Sequence, residues 1–227
     1  MRLYFFLALF LNCFSTLQSQ VDYTIEQDSL YREDQFYVSI TYNALIDLPN
    51  NVSQNSFSTG VHLGVIRDFP LNKRRNIALA LGLGYSFNSF NQNIRISGHN
   101  PYNYSILESS NYSKNNFAQH FIEVPFQFRW RTSTAESYKF WRVYTGLKLG
   151  YLIASKSIFN DSSGSDNQKN LTDLNKLQYG LTMSIGYNTW NGYIYYGLNP
   201  VFNDVSTVDL QSIDMRALKI GLIFYLL

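Results

Sequence analysis

From Ile77 to Asn88 the bulky residues Ile77, Leu79, Leu81, Leu83, Tyr85 and Phe87 share one parity, and Ala78, Ala80, Gly82, Gly84, Ser86 and Asn88 take the other. A period of two is a strand. The small, increasingly polar face would have to line a narrow interior while the large apolar side chains point away from it. That inversion is expected where lipid solvates the outside of a small barrel. The same rhythm recurs along the chain and predicts about eight strands. Phe36, Val38, Ile40 and Tyr42 oppose Tyr37, Ser39, Thr41 and Asn43; Val61, Leu63 and Val65 oppose His62 and Gly64. Ile122, Val124, Phe126, Phe128 and Trp130 face out against Phe121, Glu123, Pro125, Gln127, Arg129 and Arg131. Further strands are read over 141–153, 177–185, 194–199 and 218–226.

The connections alternate in length. Those at 70–76, 132–139 and 188–192 are short, whereas 47–56, 90–116, 156–175 and 203–215 are longer and rich in Asn, Ser, Asp and Gln. Outer-membrane barrels have short periplasmic turns and longer outside loops, so an N-terminus in the periplasm puts every connection on its expected side. The fold class predicted is all-β: a small transmembrane antiparallel up-and-down β-barrel of about eight strands after a cleaved signal peptide. Met1-Arg2, the apolar run Leu3 to Leu11 and the polar stretch to Gln20 read as that peptide, with cleavage after Ser19. The run is shorter than the roughly 20 apolar residues a spanning helix needs. The expected organisation is 1–19 signal peptide, 20–33 periplasmic lead-in and 34–227 barrel, in the cell outer membrane.

Composition narrows the chemistry. The only cysteine, Cys13, precedes the expected cleavage point, so the mature chain is expected to lack a thiol, and with it disulfides and thiolate catalysis. A formal net charge of +2 with scattered Lys and Arg excludes a nucleic-acid stripe. No pair of the three histidines is close in sequence, no Asp/Glu loop has a calcium pattern, and no spacing picks out a Ser/His/acid triad. Neither catalysis, nor a metal, nor a cofactor, nor a small-molecule substrate is expected.

Two clusters stand out. Taking the 132–139 turn as centred between Ala135 and Glu136 sets Glu123 opposite Lys148, Gln127 opposite Tyr144 and Arg129 opposite Arg142, all facing inward. They predict a lumenal polar network with a Glu123–Lys148 ion pair, and a repulsive Arg129/Arg142 pair unless water or another strand's acceptor intervenes. A second cluster lies at the predicted periplasmic rim: Lys73, Arg74, Arg75, Arg131, Lys139 and Trp141, near Trp130 and Trp190. It reads either as an aromatic girdle with phosphate contacts to outer-membrane lipid, or as a docking surface for a periplasmic protein partner. Tyr102, Tyr104 and Tyr112, in the longest connection, are candidates for surface binding.

The hairpin from Glu123 to Tyr151 opens on E-V-P-F-Q-F-R-W-R-T-S-T and continues, from Tyr138, with Y-K-F-W-R-V-Y-T-G. In these residues the chain resembles the PorT family, outer-membrane barrels of Bacteroidota required by the type IX secretion system. The resemblance implies a non-enzymatic component of a protein-secretion and, in some members, gliding apparatus, whose partners are other proteins of that machinery. The periodicity alone implies a barrel, so a general small barrel for envelope stability or surface binding stands beside this reading, with a lipid-modifying enzyme third.

Overall fold

The computed structural model describes residues 34–54, 56–98, 101–108, 112–132, 140–162 and 164–226. The expected signal peptide over 1–19, the lead-in over 20–33 and the 133–139 turn lie outside them. The described residues form strands and irregular connections, with no helix among them. The strands are β1 (Asp34–Ile46), β2 (Thr59–Pro70), β3 (Ile77–Asn91), β4 (Ile94–Gly98), β5 (Tyr102–Ile106), β6 (Lys114–Arg131), β7 (Trp141–Asp161), β8 (Gly164–Lys169), β9 (Leu177–Tyr187), β10 (Trp190–Gly197) and β11 (Arg216–Leu226).

Eight of these, β1, β2, β3, β6, β7, β9, β10 and β11, pair in chain order, and β11 returns antiparallel to β1, from Phe36 opposite Leu226 to Ile46 opposite Arg216. The ring is closed, so no edge is left unpaired in lipid. Closure explains the inverted pattern of β3. Ala78, Ala80, Ser86 and Asn88 are buried inside while Leu81 and Leu83 are exposed outside. The outer wall is a continuous apolar surface because lipid, not a core, solvates it. Trp130, Trp141, Tyr187, Trp190 and Phe224 ring the short-turn end, and Tyr42, Tyr151, Tyr179 and Tyr196 ring the other. These are the two aromatic girdles of a membrane barrel.

The structure departs from the sequence reading at the long connections. The segment 90–116 holds the β4–β5 hairpin, and 156–175 holds β8 together with the ends of β6 and β7, which run well past the membrane girdle. Ile94, Ile96, Tyr102 and Tyr104 are buried, and with Phe90, Phe117, Leu174, Phe202 and Met215 they make an apolar core that plugs the outer mouth. Four alternating residues on two five-residue strands carry too short a period to be read among so many Asn and Ser. Tyr102 and Tyr104 are therefore cap residues rather than an exposed binding surface. Tyr104 donates to Asp173 at 2.9 Å, and Arg95 lies over Phe159 at 4.2 Å, tying the hairpin to the wall.

Candidate functional site

The interior is built around the small face of β3. Glycines, alanines and Ser86 form a floor over which longer side chains of β2 and β6 meet, although β3 lies between those strands. At mid-barrel His62 of β2 sits beside Ser86, and Glu123 of β6 beside Gly84. His62 Nδ1 lies 3.1 Å from each Glu123 oxygen, and Lys148 of β7 donates to Glu123 Oε2 at 3.1 Å. A Cβ on Gly84 would collide with the Tyr37 hydroxyl, so a side chain there would close the gap that this triad uses.

The β6–β7 register differs from the expected one by two residues. Glu123 opposes Gly150, Pro125 opposes Lys148, Gln127 opposes Gly146, Arg129 opposes Tyr144 and Arg131 opposes Arg142. Parity is unchanged, so all the expected lumenal residues still face in, and Lys148 reaches Glu123 along a diagonal. The reason is steric. A Cβ at Gly146 would strike the backbone of Phe126 and Gln127, so this glycine belongs where the two backbones press closest. Arg129 gains an aromatic partner in place of a like charge, its guanidinium lying 4.5 Å from the Tyr144 ring and 4.8 Å from the Tyr225 ring.

A second network fills the periplasmic half. Asp68 of β2 accepts from Arg129 Nη1 at 2.6 Å with one oxygen and from Arg131 Nη1 at 2.7 Å with the other. Arg129 also donates to Gln35 at 2.9 Å and to Gln127 at 3.0 and 2.9 Å. Asp68 is the acceptor from another strand that relieves the arginines. It continues the inward parity of His62 and Gly64 through Ile66, and extending that strand to Pro70 would have found it. Arg142 donates to the Asn188 carbonyl at 2.7 Å and covers the Phe140 ring at 4.5 Å. Lys219 stands over Tyr195 at 4.9 Å and, with Glu123 and Lys148, lines a cavity of about 10 Å³, room for one water. Each desolvated charge has a carboxylate, a carbonyl, an amide or an aromatic face, which is what such charges require.

The rim cluster divides. Arg131 is 2% exposed and bound by Asp68, so it belongs to the lumenal network and cannot be a docking residue. Arg75 is half-buried at φ 53°, its carbonyl accepting from Arg131 Nε at 3.0 Å. Lys73 and Arg74 are exposed on the turn, and Trp141 is exposed against Tyr187 with ring centres 5.3 Å apart. Lys139 lies outside the described residues. Among the histidines, His62 is enclosed in the lumen, His120 faces outward against the Tyr85 hydroxyl at 2.5 Å, and His99 lies outside the described residues. Among the described residues no group of three or more His, Cys, Asp and Glu could hold a metal ion.

Residues 18–203 match the outer membrane protein beta-barrel domain family, a span that takes in seven of the eight wall strands. The chain belongs to that family. Its place is accordingly the outer membrane, with the short turns and both ends of the barrel chain on the periplasmic side and the cap outside. One similar solved structure is that of Ail, the attachment invasion locus protein of Yersinia pestis, at 13% identity and a TM-score of 0.31, covering 85% of this chain and 98% of that one. No curated protein matches the chain.

Proposed function

We propose that this barrel is a non-enzymatic, non-conducting component of the type IX protein secretion machinery, working through protein contacts at its periplasmic end. The observation that carries the reading is the filled interior: a capped outer mouth above two networks of buried charge leaves the ends of the barrel, not its lumen, to do work. The resemblance of 123–151 to the PorT family supplies the machinery. The exposed Lys73, Arg74 and Trp141 supply a periplasmic surface that an acidic or aromatic partner segment would fit. Arg129, Arg131 and Arg142, the distinctive residues of that hairpin, would serve by holding the periplasmic end rigid beneath that surface.

The test is a gene deletion complemented with wild type or with the Lys73→Glu/Arg74→Glu variant, scored for export of type IX cargo and for barrel insertion. Export restored by wild type and lost in an inserted variant is the expected result. Normal export in the deletion strain overturns the secretion role.

A second reading, a general small barrel for envelope stability or surface binding, is favoured by the folded cap, which has its own apolar core and is more than a loose connection. Replacing 93–107 by a short turn separates the two. A machine part contacted from the periplasm keeps its function, and a surface binder loses it.

A further inference from the structure

The wall has a notch just outside the outer girdle. β9 joins β7 as far as Leu177 opposite Tyr151, and β8 joins it from Lys169 opposite Lys156, so β7 residues 152–155 have no strand beside them on that side. The gap is spanned by Leu152 N–H to the Lys176 carbonyl at 2.7 Å and Asn170 N–H to the Ser155 carbonyl at 2.8 Å. The register with β6 also shifts here. His120 opposes Ala154 and Phe121 opposes Leu152, which leaves Ile153 as a bulge residue, exposed outward. The result is a groove of about 410 Å³ with Tyr151 and Ile153 at its membrane side and Asn170, Thr172 and Lys176 at its outer side.

The charge around this groove is one-signed. Lys156 follows the outward parity between buried Ser155 and Ser157, and Lys169 is its direct cross-strand partner on β8. Like charges directly opposite in an antiparallel pair destabilise it. Lys176 adds a third ammonium from the other bank. Among the described residues none of the three has a carboxylate partner. A strand pair that places Lys against Lys at the level where lipid head groups begin gains from an anion held between them.

We propose that this groove seats a phosphorylated glycolipid of the outer leaflet, its phosphate among Lys156, Lys169 and Lys176 and an acyl chain along Tyr151 and Ile153. The membrane orientation supports the outer leaflet. The apolar lower bank distinguishes a lipid from a free anion.

Native mass spectrometry of the purified full-length barrel, after incubation with lipid A in its phosphorylated or enzymatically dephosphorylated form or with inorganic phosphate, tests the site. Wild type retains phosphorylated lipid A, and the Lys156→Gln/Lys169→Gln/Lys176→Gln variant retains it roughly ten- to a hundredfold less, from three ammonium contacts of ordinary strength. The Lys→Arg triple variant keeps it. Equal retention by the Gln variant overturns the proposal. So does equal retention of the dephosphorylated lipid by wild type, a measurement that needs no variant to fold. Inorganic phosphate bound as firmly as the lipid overturns the lipid assignment.

Discussion

The Asp68 carboxylate on β2 accepts from Arg129 on β6 at 2.6 Å although β3 lies between their strands. The contact is possible because the residues of β3 beneath it are Ala78 and Ala80, both fully buried. Asp68 also holds Arg131, so one carboxylate neutralises two desolvated guanidinium groups. Replacing Asp68 with Asn leaves both largely uncompensated, and breaking a buried pair in this way costs about 3–5 kcal/mol. Equilibrium unfolding in urea from phosphatidylcholine vesicles should show that loss, with partial recovery when Arg129→Met is added. An unchanged midpoint for Asp68→Asn would mean that the network contributes nothing to holding the barrel.

The glycines of β3 should be as demanding as the charges. A Cβ at Gly84 meets the Tyr37 hydroxyl and the Leu63 carbonyl, so Gly84→Val forces Tyr37 and the adjacent His62–Glu123 contact to move. Overpacking of this kind costs about 1–3 kcal/mol. The same unfolding experiment should show the loss for Gly84→Val, whereas Leu83→Ile, on the lipid face, should leave the midpoint nearly unchanged.

The cap carries a pH dependence of definite sign. Burial, then the hydrogen bond to Asp173, holds the Tyr104 hydroxyl above its ordinary value of 10.0. The folded cap therefore keeps a proton that an opened cap releases in alkali. Its contribution is complete below about pH 10, the ordinary tyrosine value, and is lost progressively as the pH rises from there. Protease cleavage within 93–107 should accelerate above that pH. Tyr104→Phe should open more readily at neutral pH, by roughly 1 kcal/mol for the missing hydrogen bond, with a smaller alkaline step. An alkaline step of wild-type size in the Phe variant would assign it to other groups.

Membrane depth can be read from the tryptophans. Trp130, Trp141 and Trp190 all stand at the short-turn end, exposed on the outer wall. Lipids brominated near the head group should quench their fluorescence more than lipids brominated at the chain ends. The reverse order would move the periplasmic girdle.

Much of this architecture was legible in the sequence because the barrel wall is periodic. The alternation through β1, β3 and β9 needs no partner to be seen, and the inverted sizes on β3 already pointed to lipid outside. What escaped was set by contacts between distant segments. The hairpin register was misjudged by two residues because parity does not distinguish registers two apart, and the close approach at Gly146 that fixes it is a matter of three dimensions. Asp68 was missed because its partners lie some 60 residues away, and Arg131 looked like a rim charge until Asp68 was placed beside it. The cap escaped because Ile94, Ile96, Tyr102 and Tyr104 acquire a shared core only with Phe117, Leu174 and Phe202.

The central claim is that the barrel is solid, so that it acts through its ends and wall. Conductance across planar bilayers tests this most directly, on the purified full-length chain and on a variant in which a short turn replaces 93–107. Neither should give stepwise currents, because the Asp68 and Glu123 networks fill the lumen beneath the cap. Ohmic steps from the wild type would contradict the account, and steps from the shortened variant alone would show that the cap, not the charged interior, closes a pore.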